Sequence, residues 1–255
     1  MKRDEMAGPV PPRENRLDPV GGPFPVVTLL LVLANAILFA FQLAAGESSD
    51  YGIRTWGLTP ARLLDFPASG LQPVLTLLTS VFLHAGFRHL YGNMIFLAIF
   101  GRGVERAMGP ARFLGFYLIA GILPAMVQVF TASQPDLPHV GASGAVSGVL
   151  GGFLLLFPFR PMSLLALTAI HPALLGLFLM TWLARVNPQL LRIPAFIYLL
   201  PWFGIQIFGS TATQAQRGGS IDFLAHVAGF AVGALLVIPF TGANYRRAVR
   251  MPDSE

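Results

Sequence analysis

The sequence predicts an all-α, polytopic membrane protein with six transmembrane helices and an interfacial first loop. Of its 255 residues, 54% are hydrophobic and only 11% are charged, whereas a soluble domain carries about 25% charged residues. Long apolar runs recur along the chain, and arginines stand at the ends of these runs rather than in one basic patch. These features argue against a soluble enzyme, a disordered protein and a nucleic-acid-binding protein.

The N-terminal part divides into a tail, a span and a loop. Residues 1–25 are charged and rich in proline, so we expect a flexible cytoplasmic tail. Residues 26–45 form an apolar run of twenty residues. At about 1.5 Å per residue, this run matches the roughly 30 Å hydrocarbon core of a bilayer. The stretch 46–78 is too polar to span and too apolar for an ordinary loop, so we expect it to lie in the membrane interface.

Six further apolar runs follow this loop, and one of them is not expected to span. The runs cover residues 81–100, 113–131, 141–159, 163–183, 193–209 and 223–240. Ser143 and His226 open two of the runs, and they can meet only if both runs start at the same membrane face. Exactly one spanning helix must then lie between them, so one of the runs 163–183 and 193–209 does not span. We expect the run 163–183 to form a bent re-entrant or interfacial hairpin instead. His171 and Pro172 interrupt this segment, and proline breaks the hydrogen-bond ladder of a helix.

The positive charges predict the orientation of the six spans. Thirteen lysine and arginine residues fall on one side of the membrane and four on the other, and the positive-inside rule places the richer side in the cytoplasm. Both termini are then cytoplasmic, with a membrane domain over residues 26–242 and a cytoplasmic tail over residues 243–255. The excess of arginine over lysine favours a GC-rich bacterium, so we expect an integral, multi-pass protein of a bacterial inner membrane.

Ser143 and His226 are the candidate reactive groups. Ser143 opens a run of only about 16 residues, which is shorter than the bilayer core, so this helix should begin below the membrane surface. The free N–H groups of a helix N-terminus favour a developing negative charge. Small residues recur every four positions from Ser143 onward. Gly229 and Gly233, which are also four residues apart, follow His226. Such faces let two helices approach closely, so we expect the Ser143 hydroxyl to meet the His226 ring.

The other histidines have different predicted roles. His89 and Asn93 lie four residues apart on the second helix, and both can donate hydrogen bonds to an oxyanion. His84 lies about 140° around a regular helix from His89, so we expect a structural role for it. A metal site of His84, His89 and His226 has poor spacing and no nearby carboxylate, so no metal or other cofactor is expected. His139 is a competing base, although a flexible loop orients a base poorly.

Four motifs resemble those of the rhomboid family of intramembrane serine proteases, over about residues 52–240. They are His84-Ala-Gly-Phe-Arg-His89 with Asn93, Gly101-Arg-Gly-Val-Glu105-Arg-Ala-Met-Gly109, Gly141-Ala-Ser143-Gly144, and His226-Val-Ala-Gly229-Phe-Ala-Val-Gly233. Four separated motifs in the family's order make the resemblance specific. It implies a rhomboid-like bundle of six helices.

The resemblance also implies roles for the motif residues. Ser143 and His226 form a catalytic dyad, and an oxyanion site consists of His89, Asn93 and the backbone N–H of Ser143. Structural roles fall to the remaining motif residues, which are His84, Glu105, Gly141, Gly144, Gly229 and Gly233. Many members carry an aromatic residue four positions after the nucleophile, against the base histidine. Ser147 stands there in this chain, so the ring must be oriented from elsewhere, a hydroxyl contact being one option.

The expected function is that of a serine-type endopeptidase that cleaves transmembrane proteins within or near a membrane-spanning helix. Its partners would be transmembrane protein substrates and the lipid bilayer, without cofactor or nucleic acid, and the sequence leaves the oligomeric state open. One alternative is a catalytically inactive rhomboid-like protein that binds client helices. Another is a channel or small transporter, which predicts internal repeats that the sequence does not show.

Overall fold

The computed structural model describes residues 25–46, 48–163, 192–213 and 223–242, with positions 179 and 183 besides. Most of these residues are helical. The helices are α1 Val26–Ala44, α2 Ser48–Trp56, α3 Pro60–Leu64, α4 Gln72–Thr79, α5 Phe87–Phe96, α6 Arg102–Met108, α7 Pro110–Thr131, α8 Ser143–Leu156, α9 Ala195–Thr213 and α10 Phe223–Thr241. Two short strands are β1 Pro161–Ser163 and β2 Arg192–Pro194. The tails predicted for residues 1–25 and 243–255 lie outside the described residues, apart from Pro25.

Three of the described helices, α1, α7 and α10, are long and apolar enough to cross a bilayer. Their outer faces carry large apolar side chains, of which Phe41, Phe130 and Leu235 are 68%, 73% and 75% exposed. Large apolar side chains at an outer surface are stable in contact with lipid and unfavourable in contact with water. α8 is a shorter apolar helix of 14 residues, as the short run after Ser143 predicts. The chain is a mostly helical integral membrane protein, and the count of six spans stays a prediction.

The polar residues of α1 lie on the face that packs against the rest of the protein. Thr28, Asn35 and Gln42 recur every seven residues, which places them on one side of the helix. Asn35 donates to the carbonyl oxygen of Leu31 at 2.8 Å. The Gln42 amide accepts from the backbone N–H of His84 and donates to its carbonyl oxygen, both at 3.2 Å. The interruptions in the first apolar run therefore mark its inner face.

Glu105 of α6 caps the N-terminus of α1. Its side chain is buried, and its carboxylate accepts hydrogen bonds from the backbone N–H groups of Val27 at 2.9 Å and Thr28 at 2.7 Å. The Thr28 hydroxyl donates a third, at 2.7 Å. α1 follows Pro25 and has no side-chain cap of its own, so Glu105 takes the place of an N-cap residue. Its negative charge also lies at the positive end of the helix dipole. Glu105 thus anchors α1 to α6.

α8 and α10 touch backbone to backbone along rows of glycine. A Cβ atom on Gly229 would collide with the carbonyl oxygen of Gly144, and one on Gly233 with the carbonyl oxygen of Gly148. Successive contacts advance by four residues in the same direction on both helices, so the helices run parallel. The close approach predicted from the small residues is present, and both helices begin at the same end of the bundle.

The chain returns to the end of α8 before α9 begins. β1 and β2 pair antiparallel, and the N–H groups of Ala195 and Phe196 donate to the carbonyl oxygens of Arg160 and Pro158 at 2.9 and 3.0 Å. Among the residues described from 192 onward, α9 is the one helix between the return point and α10, which agrees with the parallel arrangement of α8 and α10. Apart from positions 163, 179 and 183, the hairpin predicted for residues 163–183 lies outside the described residues.

The second apolar run is not the regular helix that the sequence predicts. A 3-10 turn at Ser80–Phe82 ends before His84, α5 begins only at Phe87, and a π-helical turn at Leu97–Gly101 joins α5 to α6. His84 therefore lies in the turn before α5, and the angle of about 140° calculated for a regular helix does not apply. This turn lets His84 fold back against residues of α5.

Replacing Glu105 by glutamine tests the cap on α1. Glu105→Gln should lower the free energy of unfolding by about 1–3 kcal/mol, because the amide keeps one acceptor oxygen and loses the charge at the helix N-terminus. Thermal unfolding in detergent measures the loss. Asp50→Asn makes the same chemical change at a side chain that is 67% exposed, and it should leave the melting temperature nearly unchanged. Equal shifts for the two variants would contradict the capping role.

An alanine in the glycine seam tests the contact between α8 and α10. Gly233→Ala should lower the free energy of unfolding by about 1–3 kcal/mol or more, because the added methyl group forces two backbones apart. Gly204→Ala on α9 is the control, since no atom lies within 4 Å of an added Cβ there. It should be neutral or slightly stabilising, because alanine favours helix. A Gly233→Ala protein as stable as the wild type would argue against the seam.

Candidate active site

A cavity of about 690 Å³ lies at the end of the bundle where α8 and α10 begin. Residues of α5, α7, α8, α9 and α10 line it, together with the loop before α8. Its polar lining includes most of the residues singled out in the sequence: His89, Asn93, His139, Ser143 and His226, with Gln206 and Gln128 in addition. The fold therefore gathers residues from distant parts of the chain around one space.

Ser143 is the first residue of α8 and is half-buried. Two residues earlier, Gly141 has a φ of +134°, a conformation that glycine adopts readily and other residues rarely do. The Gly141 N–H donates to the carbonyl oxygen of Ser80 at 2.9 Å, and the backbones of Leu58 and His139 exchange hydrogen bonds at 2.9 and 2.7 Å. The loop before α8 is thus held at several points, which fixes where the serine enters the cavity.

His226 lies in the first turn of α10 and is also half-buried. It precedes Gly229 by three residues, and Gly229 packs on Gly144, the residue after Ser143. The serine and the histidine consequently lie at the same end of the seam and line the same cavity. The spacing of small residues predicts more than this shared location, namely contact between the Ser143 hydroxyl and the His226 ring, and that contact stays a prediction.

Two residues of α9 contact the His226 ring. Its Nδ1 atom is 2.7 Å from Oε1 of Gln206. The Trp202 ring lies 6.3 Å away between centroids at a tilt of 31°, and the Phe223 ring lies 6.4 Å away, nearly edge-on. Nδ1 thus has an amide oxygen as a partner.

Gln206 and Trp202 were not among the residues that the sequence singles out. Gln206 is the one amide side chain in the apolar run 193–209. A polar residue inside a membrane span is a functional candidate by default. Applying this rule to amides as well as to histidines would have found Gln206. The aromatic contact of Trp202 leaves no such signal in a run that is rich in aromatic residues.

His84, His89 and Asn93 form a packed group on one side of the cavity. Nδ2 of Asn93 is 3.0 Å from Nε2 of the buried His84, so the amide donates to the ring nitrogen. The rings of His84 and His89 meet edge to face at 5.2 Å. A Cβ atom on Gly141 would lie 2.6 Å from Nε2 of His89, so only glycine leaves room for this ring. His84 supports both residues of the predicted oxyanion site.

His139 lines the cavity as well, and its loop is not free. The bridge to Leu58 holds its backbone on both sides, so the argument from a flexible loop does not disfavour His139 as a base. Among the described residues, no three histidine, aspartate or glutamate side chains lie close enough together to hold a metal ion.

Comparison with known proteins identifies the family. The Rhomboid domain matches residues 72–242. YdcA, a rhomboid relative from Bacillus subtilis, is 34% identical over 137 residues, which cover 54% of this chain and 65% of YdcA. Rhomboid protease AarA from Providencia stuartii is 26% identical over 230 residues, or 84% of this chain and 72% of AarA. The mitochondrial Rhomboid protein 1 of Saccharomyces cerevisiae is 29% identical over 165 residues, or 63% of this chain and 40% of its own length.

The matched stretches span less than two thirds of YdcA and of the yeast protein, and a larger share of AarA. The family match itself covers more than half of this chain and includes each candidate site residue from His84 to His226. The resemblance seen in the four motifs therefore extends over residues 72–242. The chain belongs to the rhomboid family.

Proposed function

We propose that this protein is an intramembrane serine endopeptidase that cleaves transmembrane proteins within or near their membrane-spanning helix. Ser143 is the nucleophile and His226 is the base. The observation that carries the proposal is that both residues line one cavity at the common end of two parallel helices in backbone contact. Relatives named as rhomboid proteases support the same reaction class.

The reaction has an acylation step and a deacylation step, and each includes two proton transfers. Neutral His226 takes the hydroxyl proton of Ser143 while the serine oxygen attacks the scissile carbonyl carbon. The intermediate then collapses, the C–N bond breaks, and His226 gives its proton to the leaving amine. A water molecule then attacks the acyl carbon and gives a proton to His226. This second intermediate collapses, the bond between the acyl carbon and the serine oxygen breaks, and His226 returns the proton to Ser143. Within the described lining of the cavity there is no acidic side chain. The proposed catalytic group is therefore a dyad of Ser143 and His226, without the acidic third residue of a catalytic triad.

The oxyanion of the tetrahedral intermediate is stabilised at the N-terminus of α8. The first N–H groups of a helix have no partners within it, so the backbone N–H of Ser143 can donate to this oxygen. Asn93 uses one N–H of its amide on His84, which leaves the second for the oxyanion. His89 is the third donor, and its ring is confined between His84 and Gly141.

The substrate must expose its backbone before it can react. A helical peptide bond hides its carbonyl group, so segments with glycine or other weak helix formers near the outer membrane face are the preferred targets. Ser143 and His226 are half-buried, so water can reach both. In this proposal both termini are cytoplasmic and the domain over residues 26–242 lies in a bacterial inner membrane.

Removal of the nucleophile or the base tests the proposal. A fluorophosphonate probe should label the purified wild-type protein, and Ser143→Ala and His226→Ala should abolish this labelling. The same two changes should lower the rate of cleavage of a transmembrane peptide by at least about 10³-fold. His139→Ala should retain both activities. Labelling that persists without Ser143 or His226 would contradict the dyad. A wild-type protein that binds client helices but is never labelled would be the inactive alternative.

Replacement of Asn93 tests the oxyanion site. Asn93→Ala should lower kcat by about 10²- to 10³-fold with little change in KM, because the lost hydrogen bond is made mainly in the transition state. Steady-state cleavage of the same peptide measures both constants. Asn35→Ala makes the same change at a buried asparagine of α1 that does not line the cavity, and kcat should stay near the wild-type value. Similar losses in the two variants would point to a general loss of folding.

A further inference from the structure

Gln206 is a buried polar residue between two exposed apolar ones. Its side chain is 7% exposed, whereas those of Ile205 and Ile207 on either side are 62% and 41% exposed. α9 therefore turns its apolar neighbours outward and its single amide inward, to the cavity. A buried amide that made no hydrogen bond would be costly, so the side chain at this position is held by the partners it finds there.

The contacts of this amide define which atom faces the histidine. Its Nε2 atom is 3.5 Å from the carbonyl oxygen of Trp202, one turn earlier on α9. Its Oε1 atom is 2.7 Å from Nδ1 of His226. An amide nitrogen only donates and an amide oxygen only accepts, so both contacts are satisfied by the same orientation of the side chain. The short contact to His226 then requires a proton on Nδ1.

A proton on Nδ1 determines what the other ring nitrogen can do. In a neutral imidazole one nitrogen carries the proton and the other carries a lone pair, so Nε2 of His226 becomes the basic atom. A general base must present that lone pair to the hydroxyl group that it deprotonates. In the opposite tautomer, Nε2 would carry the proton and could not accept another from Ser143.

The contacts from α9 bear on how the His226 ring is held in a chain that has a serine at position 147. Ser147 is buried within α8, at the position where many rhomboid proteins have an aromatic residue against the histidine. In this chain Trp202 and Gln206 are four residues apart on α9, so both lie on one face. Trp202 packs against the ring and Gln206 bonds to its edge. α9 thus supplies both the packing surface and the hydrogen-bond acceptor.

We propose that Gln206 is a positioning residue that fixes the tautomer and orientation of His226. The inference rests on the proposed function, in which His226 is the base. Gln206 touches no reacting atom and acts only through the ring. It does for His226 what an acidic residue does in a catalytic triad, but without a charge.

Two substitutions at Gln206 distinguish the effect of its hydrogen-bond acceptor on kcat from the effect of its size. Gln206→Met keeps the length of the side chain without an amide oxygen, and it should lower kcat about 10- to 100-fold while KM changes by less than about threefold. Gln206→Glu keeps an acceptor oxygen and should restore kcat to within about tenfold of the wild type. Ile205→Met introduces the same residue on the outward face of α9 and should leave kcat unchanged. Thermal unfolding of each variant checks that it folds.

Nitrogen NMR of histidine-labelled protein supplies a readout that does not depend on cleavage. In the wild type, the His226 signals, assigned by their loss in His226→Asn, should show a protonated Nδ1 and an unprotonated Nε2. Gln206→Met should shift the ring toward the opposite tautomer or a mixture. An unchanged tautomer in Gln206→Met, with or without a loss of kcat, would overturn the inference. A wild-type protein that cleaves nothing, but whose Nδ1 proton depends on Gln206, would refute the proposed protease alone.

Discussion

The contact between α8 and α10 is the constraint on which the rest of the structure depends. Two backbones can approach this closely only where no side chain lies between them. Gly148 and Gly151 on α8 and Gly229 and Gly233 on α10 meet this requirement, because a Cβ atom added at any of them would lie within 3.2 Å of the facing backbone. Because the helices run parallel, their N-terminal ends coincide. Their first turns carry the serine and the histidine, so a packing contact between small residues brings two polar residues from distant parts of the chain to one cavity.

The polar residues around this seam show how a membrane protein satisfies buried hydrogen-bonding groups. Glu105 caps α1, Gln42 pairs with both backbone groups of His84, and Asn93 in turn bonds to the His84 ring. Each contact joins residues that are distant in the chain or belong to different elements. The hydrocarbon core of a bilayer offers no water to take over a broken hydrogen bond, so the loss of one of these contacts there would leave a buried polar group unpaired.

Much of this arrangement could be predicted from the sequence, because the signals are local. The apolar run after Pro25 gives α1, and the short run after Ser143 together with the spacing of small residues gives α8 and its contact with α10. Two features could not be predicted from the sequence, because they depend on tertiary structure. The turn at His84 interrupts a run that reads as continuous helix and is held by Gln42, more than forty residues away. The role of Gln206 depends on how α9 packs against α10, which periodicity alone does not reveal.

Chemical crosslinking would test the juxtaposition of residues 143 and 226 most directly. The natural chain has no cysteine, so Ser143→Cys combined with His226→Cys places two unique thiols. The shortest bifunctional thiosulfonate, applied to membranes, should link the two thiols within one chain at high yield. Ser143→Cys with Leu235→Cys, which lies on the outer face of α10, should give no such link. Failure to link positions 143 and 226, with both thiols reactive toward a monofunctional reagent, would contradict the account.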